Sequence, residues 1–260
     1  MFKILKYSFY DLMRSRWSYV YFCFYLILGF VLFFLNNDVN KSVITLLNII
    51  IVLTPLIGTI FGVMYYYSSR EFTELLLSQP LKRSTIFIGQ YLGVAISLSL
   101  SLIIGLGIPF VAYGVLRSGA IWNFVSLLIS GGFLTFIFVA LAYNIALSFN
   151  DKIKGFGFAI LLWLFLAVIY DGLIIILMMV FQDYPLDKFA LGVIMFNPID
   201  LSRVLILLKL DISALLGYTG AVFQKFFGTS YGMIISLLVL SVWVAVPLWR
   251  IKRVAGRKDF

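Results

Sequence analysis

Six long apolar stretches alternate with short polar segments along the chain. A helix needs about 20 mainly apolar residues to cross the hydrocarbon core of a bilayer. The apolar stretches cover residues 17–35, 44–65, 88–116, 121–149, 156–181 and 231–249. This pattern predicts an all-α integral membrane protein with six transmembrane helices, organised as a single transmembrane domain over residues 1–260.

The segment before the first span predicts an amphipathic helix over residues 1–16. Apolar residues recur at helical spacing and share one face, at Phe2, Leu5, Phe9, Leu12 and Met13. Basic residues lie largely away from that face, at Lys3, Lys6 and Arg14. A basic amphipathic helix beside a span is typical of a helix that lies in the membrane interface.

A short charged helix is predicted between the second and third spans, over residues 70–79. Three apolar residues fall on one face at i, i+3 and i+4, namely Phe72, Leu75 and Leu76. Two acids occupy the first turn, where the helix dipole favours them, Glu71 and Glu74. Pro80 ends the helix because it forces the residue before it out of helical geometry. A solvated loop is the alternative, but a free loop would not need so many apolar residues.

The segment between the fifth and sixth spans predicts two short outer helices within residues 198–227. Asn197 can cap the first helix, Pro198 fits its first turn, and Asp200 lies at the positive end of its dipole. Asp200 and Arg203 are three residues apart, so they can pair. The second helix is expected over residues 214–227. One kinked seventh span is the alternative, but it would place charged residues at mid-membrane depth.

Among the polar residues inside predicted spans, two are candidates for function, Asp171 in the fifth and Asn144 in the fourth. A membrane-embedded acid is costly and suggests function by default. Asp171 is expected to accept bonds from Tyr170 or from the outer helices, or to face a cavity. A purely structural hydrogen bond is equally open for Asp171 and favoured for Asn144. No second acid is expected at the depth of Asp171, which argues against an intramembrane aspartyl protease.

Composition supports the membrane assignment and excludes several kinds of chemistry. Charged residues make up 12% of the chain and mean hydropathy is +1.08, whereas soluble domains carry about 25% charged residues. One cysteine and no histidine exclude an internal disulfide, a Ser-His triad and a Cys/His zinc site. The absence of a Gly-Lys pair excludes a P-loop. We therefore expect no enzymatic activity and no cofactor or metal bound by this chain. Three methionines are possible copper ligands but more often serve packing, Met178, Met179 and Met195.

The distribution of basic residues predicts the orientation. With both termini inside, the inner segments hold fourteen of the twenty basic residues and five of the eleven acids. The inner basic residues are Lys3, Lys6, Arg14, Arg16, Arg70, Lys82, Arg83, Lys152, Lys154, Arg250, Lys252, Arg253, Arg257 and Lys258. Lys and Arg accumulate on the cytoplasmic side, so both termini are expected in the cytoplasm. The bilayer accounts for the net charge of +9, and no nucleic-acid partner is expected.

The segment around the short charged helix resembles ABC-2-type permeases. Members of that family have Glu-Leu-Leu-Leu after the second span, then a proline, a basic residue and a glycine that leads into the third span. The matching positions in this chain are Glu74 to Leu77, Pro80, Arg83 and Gly89. The family pattern also has Gly-Thr before the glutamate and often Lys after the glycine, where this chain has Phe72-Thr73 and Gln90.

Further motifs resemble the membrane subunits of the bacterial inner-membrane ABC transporters that mature nitrous-oxide reductase. These motifs are Gln79-Pro80 with Arg83, Tyr170-Asp171-Gly172-Leu173, Asn197-Pro198-Ile199-Asp200 with Arg203, and Gly217-Tyr218 with Gly220-Ala221-Val222-Phe223. The resemblance covers most of the chain, from the first amphipathic helix to the basic tail.

The resemblance implies a mechanism and partners. Two copies of the chain would form a homodimer on separate cytoplasmic ATPases, which bind the ATP and Mg²⁺. The residues implied in ATPase coupling are Glu71, Phe72, Glu74, Leu75, Leu76, Gln79, Pro80 and Arg83. The residues implied in gating or in contact with a periplasmic partner that delivers copper or another component are Asn197, Pro198, Asp200 and Arg203. The alternatives are an ABC-2 exporter of lipid, polysaccharide or drug, a gliding-motility permease, or an ATP-independent secondary carrier.

Overall fold

The computed structural model describes residues 2–36, 39–115, 121–181, 187–209 and 230–256, and this part of the chain forms helices joined by short connections. The helices are α1 (Phe2–Arg14), α2 (Arg16–Asn36), α3 (Val39–Ser68), α4 (Arg70–Leu77), α5 (Arg83–Ala112), α6 (Ile121–Ser148), α7 (Lys152–Leu164), α8 (Tyr170–Val180), α9 (Asp187–Met195), α10 (Pro198–Lys209) and α11 (Ser230–Ala255). A π-helical stretch, Phe165–Ile169, joins α7 to α8 without a break.

Six helical segments in the described residues are long and apolar enough to cross a membrane, which confirms the predicted fold class. They are α2, α3, α5, α6, the continuous α7–α8 segment and α11. The third span differs from its predicted bounds. It begins at Arg83, before the predicted residue 88, and ends at Ala112 rather than at residue 116. Gly114 explains the earlier end, because its φ of +80° turns the backbone into the left-handed region that favours glycine.

The N-terminal helix α1 packs lengthwise on α5 through its own narrow stripe, Ile4, Ser8 and Leu12. The predicted apolar face is the one assigned to the membrane interface, and of its residues only Leu12 is buried in the protein, whereas Phe2 is 80% exposed. The packing stripe lies beside that face, where α5 offers glycines. A Cβ added at Gly93 would lie 2.6 Å from the Cβ of Ser8.

Small residues recur every fourth position along one side of α5, at Gly89, Gly93, Ser97, Ser101 and Gly105. Gly89 and Gly93 meet α1, and a Cβ added at Gly105 would lie 3.1 Å from a carbonyl oxygen of α2. In lipid, helices associate through close backbone packing rather than through a hydrophobic driving force. This spacing lets α1 and α2 approach the third span closely.

The second and fourth spans, α3 and α6, form the central packed pair. A Cβ added at Gly62 of α3 would lie 2.8 Å from the Cβ of Ala142 on α6. Tyr25 of α2 joins the same core through a buried hydrogen bond of 2.9 Å to the hydroxyl of Thr54 on α3. The fifth and sixth spans are peripheral, with 11% and 22% of their most apolar windows buried.

Helices α9 and α10 form a pair bent by 113° between Met195 and Pro198. Together they are long and apolar enough for one more crossing, but the bend is typical of a broken span or a re-entrant loop. The first predicted outer helix is present as α10, whereas α9 was not predicted. α10 packs between α3, α6 and α11, and its inward residues Ile199, Leu201 and Ile206 are fully buried. The second predicted outer helix lies outside the described residues.

Replacing Gly93 by alanine is expected to destabilise the α1–α5 contact. The added methyl group would collide with Ser8 and approach the backbone nitrogen of Phe9 to 3.0 Å, and overpacking costs about 1–3 kcal/mol. The thermal unfolding midpoint in detergent should fall. Gly107→Ala on the same helix is the matched control, because nothing lies within 4 Å of its added Cβ and alanine favours helix by about 0.5–1 kcal/mol over glycine. Equal shifts for the two variants would contradict this packing.

Candidate functional site

The short helix α4 is fastened to the bundle by a polar contact at its centre. Thr73 is buried, and its hydroxyl donates to the carbonyl of Ser69 at 2.8 Å while accepting a 2.8 Å hydrogen bond from Nε2 of Gln90. Gln90 is fully buried on α5. This pair ties α4 to the start of the third span. Gln90 is the position at which the permeases that this sequence resembles often have lysine.

The apolar residues of α4 lie on one side of the helix at i, i+3 and i+4, but the structure gives them different exposure. Phe72 is half-buried and stacks on Tyr7 of α1 with 4.5 Å between ring centroids. Leu76 is also half-buried, whereas Leu75 is 67% exposed. A buried threonine with a glutamine partner occupies the centre of the inward face, and this rotates Leu75 outward.

The exposed side of α4 combines an apolar residue with acids. Glu71 and Glu74 are exposed beside Leu75, and Glu74 forms an exposed ion pair of 3.1 Å with Arg70. Gln79 and Pro80 continue this side beyond the end of the helix. Arg83 begins α5. The structure therefore brings Glu71, Glu74 and Leu75 together on one accessible surface, here called the α4 surface, and directs Phe72 and Leu76 toward the protein.

The turn between α6 and α7 lies next to α4. The hydroxyl of Tyr67, near the end of α3, donates to the carbonyl of Phe149 at 2.8 Å and to that of Asp151 at 3.2 Å. The side chain of Asp151 caps α7 by accepting from the backbone nitrogen of Ile153 at 2.9 Å. These contacts hold the ends of the second, fourth and fifth spans together around α4.

A second polar cluster joins the fifth span to α10. Nη1 of Arg203 donates to Oδ2 of Asp171 at 2.7 Å and to Oδ1 of Asp200 at 3.4 Å. The pairing of Asp200 with Arg203 was predicted from spacing, and of the alternatives for Asp171 the bond from an outer helix is the one the structure shows. The expectation that no second acid lies near Asp171 is wrong, because both carboxylates share one guanidinium. Arg203 and Asp171 are each about one-third exposed, and Asp200 is buried.

Asn197 organises the bend between α9 and α10. It caps α10 by accepting from the backbone nitrogen of Ile199 at 3.1 Å, and its Nδ2 donates to Asp200 at 2.7 Å. The same Nδ2 also donates to the carbonyl of Leu166 at 2.8 Å, inside the π-helical stretch of the fifth span. Pro198 is the first residue of α10, as the sequence indicated. The cap was predictable, but the contact with the fifth span was not.

Side chains from two spans satisfy the carbonyl groups at the end of α9. Tyr170 donates its hydroxyl to the carbonyl of Val193 at 2.6 Å, rather than to Asp171 as the sequence suggested. Nε1 of Trp243 on the sixth span donates to the carbonyl of Met195 at 3.1 Å. Unpaired backbone groups are expensive away from water, so these bonds hold the bent α9–α10 pair in place.

Asn144 links the fourth span to the sixth. Its Nδ2 donates to the carbonyl of Ala140 one turn earlier at 2.8 Å and to the carbonyl of Pro247 on α11 at 2.9 Å. An amide bridging two spans is an interhelical contact of the kind that stabilises membrane bundles by about 1 kcal/mol.

The described residues contain no group of three or more His, Cys, Asp or Glu side chains placed to hold a metal ion. The carboxylates of Asp171 and Asp200 are both paired with Arg203.

Comparison with known proteins adds a family and two relatives. Residues 4–219 match the family described as ABC-2 family transporter protein. Two curated relatives are both described as "Probable ABC transporter permease protein NosY". The relative from Stutzerimonas stutzeri is 27% identical over 136 residues, which covers 50% of this chain and 49% of that protein. The relative from Pseudomonas aeruginosa is 25% identical over 224 residues, which covers 82% of this chain and 76% of that protein.

Replacing Arg203 by glutamine is expected to loosen α10 from the fifth span. The change leaves two partly enclosed carboxylates without a counter-charge, and hydrogen bonds to charged groups contribute about 1.5–3 kcal/mol. Thermal unfolding in detergent should show a clear loss of stability. Arg70→Gln removes the exposed ion pair of α4, which is worth at most about 1 kcal/mol, and serves as the control. An Arg203→Gln variant no less stable than the control would contradict the role assigned to this bridge.

Proposed function

This chain belongs to the ABC-2 family of transporter proteins and is the permease, a membrane subunit, of an ABC transporter, and on that premise we propose that it couples ATP hydrolysis by a separate cytoplasmic ATPase to movement of its own outer helices. ATP and Mg²⁺ are bound by the ATPase, and this chain binds no cofactor. The outer helices act on a periplasmic partner. The process served is copper-site maturation of nitrous-oxide reductase.

The α4 surface carries the coupling role. Leu75 is a largely exposed leucine on a helix whose other side is anchored by Thr73 to Gln90 and by Phe72 to Tyr7. A rigid helix with an outward apolar side chain between Glu71 and Glu74 suits a groove on another protein. Movement of a bound ATPase would be transmitted directly to α3 and α5, which flank α4 in the chain.

The cytoplasmic placement of α4 follows from the basic residues. With both termini inside, α4 and the α6–α7 turn face the cytoplasm of the bacterial inner membrane, and α9 and α10 lie toward the periplasm. The first turn of α7 carries two exposed lysines, Lys152 and Lys154, which agrees with that orientation.

The packing of α10 supports the transmission of motion to the outer helices rather than the passage of a substrate through one chain. This helix fills the space between α3, α6 and α11 with buried apolar residues. Arg203 and Asn197 fasten it to the fifth span. A packed helix of this kind can move as a unit and carry motion outward. The proposal that the outer partner serves nitrous-oxide reductase rests on the sequence resemblance and on the two relatives named NosY.

Two copies of the chain are proposed to assemble as a homodimer on the ATPases. The fifth and sixth spans bury little of their surface within one copy, which leaves apolar helix faces for a second copy and for lipid.

The assembly is tested by gentle detergent extraction from the native membrane and mass spectrometry of the proteins that accompany the chain. An ATPase together with a secreted periplasmic protein is the expected result. An ATPase alone would favour a conventional ABC-2 exporter. Absence of an ATPase, in a preparation that retains other native complexes, would contradict the coupling role.

Replacing Leu75 by aspartate is expected to weaken ATPase docking. The substitution replaces the leucine side chain of the proposed contact by a carboxylate. The loss of a hot-spot interaction costs about 2 kcal/mol or more in binding free energy, so the affinity for the ATPase should fall about 30-fold. The binding of the purified ATPase to the reconstituted chain measures this effect. Ile153→Asp is the matched control, because Ile153 is 82% exposed in the first turn of α7 and outside α4. Unchanged affinity for Leu75→Asp would remove the α4 surface from the docking site.

Loss of this chain in a host that makes nitrous-oxide reductase is expected to leave the reductase short of copper. The measurement is copper per reductase molecule after purification, with and without a plasmid that restores the chain. A reductase with full copper content in the absence of the chain would refute the maturation role while leaving the ABC-2 family membership untouched.

A further inference from the structure

Helix α1 has three distinct faces, although an amphipathic helix needs two. The first face, Ile4, Ser8 and Leu12, is buried against α5. The second face is apolar and incompletely covered, and it consists of Phe2, Leu5, Phe9 and Met13. The third face is exposed and largely basic, and it consists of Lys3, Lys6, Tyr10 and Arg14. One face of α1 therefore packs on α5, and the other two are accessible to lipid, solvent or a partner.

The two remaining faces are adjacent, as a helix at a membrane surface requires. Phe2 and Lys6 lie one turn apart at the boundary between them, and both are exposed. An interfacial helix buries its apolar side a few ångströms into the acyl boundary and keeps its basic side among the headgroups. The first span adds Arg16 and Trp17 at the same level, and Trp17 is 62% exposed, as in the aromatic belts of membrane interfaces.

The basic face is pre-arranged for an anionic group. Nζ of Lys6 lies 6.0 Å from the ring centroid of Tyr10, one turn away, which holds the lysine along the helix surface. Lys3 and Arg14 extend the row in both directions and are exposed. Asp11, the acid of α1, is exposed and lies three residues before Arg14, at the edge of the row that faces away from the apolar strip. The row therefore presents positive charge beside an apolar strip.

We propose that the basic face of α1 binds the headgroups of anionic phospholipids, with the acyl chains against the apolar face. The charge of the row is complementary to the anionic lipids of a cytoplasmic leaflet, where each nearby Lys or Arg contributes about 1 kcal/mol. The neighbouring apolar strip favours a lipid, because a lipid supplies both a phosphate and a chain. A soluble acidic protein would leave the exposed ring of Phe2 in water.

Lipid bound to α1 would also restrain α4 indirectly. Tyr7 of α1 stacks on Phe72, so a lipid that immobilises α1 restrains the helix proposed to meet the ATPase. That consequence rests on the proposed function, whereas lipid binding does not, and the experiment therefore uses the chain without any ATPase.

The test places the purified full chain in nanodiscs of phosphatidylcholine and phosphatidylglycerol, transfers it to mild detergent and counts the retained lipids by native mass spectrometry. Phosphatidylglycerol should be enriched over phosphatidylcholine, and added salt should reduce the enrichment. The double variant Lys3→Gln/Lys6→Gln should lose about fivefold in relative retention for each lysine removed. These lysines lie away from the α5 contact, so the fold should be unaffected.

The control variant is Lys152→Gln/Lys154→Gln, which removes the same charge from the exposed start of α7. Lipid selectivity should fall less in this control, because these lysines are not beside the apolar face of α1. Equal retention of the two lipids by the unaltered chain would overturn the proposal, and so would an equal loss in both double variants. An unchanged lipid profile in Lys3→Gln/Lys6→Gln would likewise overturn the proposal.

Discussion

The satisfaction of backbone hydrogen bonds where helices are interrupted is the constraint on which this structure depends. Within lipid, no water is present to pair with a free carbonyl group. At the bend between α9 and α10, Tyr170 and Trp243 from two different spans donate to the carbonyls of Val193 and Met195, and the carbonyl of Val193 also accepts from the backbone nitrogen of Phe196. Asn197 adds a bond to the π-helical stretch of the fifth span. The irregular backbone is therefore tolerated because neighbouring spans supply donors, and the same donors fix where α10 lies.

Close packing through small residues is the second requirement. Because lipid is as apolar as leucine, spans gain little from apolar contact alone and depend on van der Waals fit. Gly93 on α5 and Gly62 on α3 allow neighbouring helices to approach until an added Cβ would collide. The buried Tyr25–Thr54 hydrogen bond then adds a directional contact. The core made by α1, α2, α3, α5 and α6 forms a well-packed base against which the peripheral fifth and sixth spans rest.

The two polar clusters differ in their exposure and in what they connect. The α4 surface is exposed on a helix fixed by Thr73 and Phe72, which suits contact with a protein that moves. The cluster around Arg203 is partly enclosed and joins two elements of the same chain. α3 contacts α10 and leads through Ser69 into α4, so a rigid span connects the two regions. This arrangement is the physical basis for the transmission proposed for this permease.

The sequence by itself determined the six spans, the short helix α4 and the cap at Asn197, because span length, proline placement and capping chemistry are local properties. It also contained the four-residue spacing of small residues on α5, which could have indicated the close approach of α1. The tertiary structure decided which residues of α1 and α4 face inward, since the positions of Gly93 and Gln90 on another helix select the faces that pack. It also decided that Asp171 and Asp200 share Arg203 and that Tyr170 reaches α9. The contacts of Asp171 with Arg203 and of Tyr170 with Val193 join residues 32 and 23 positions apart in sequence, on either side of a bend of 113°. Local periodicity contains no information about how such a bend is oriented.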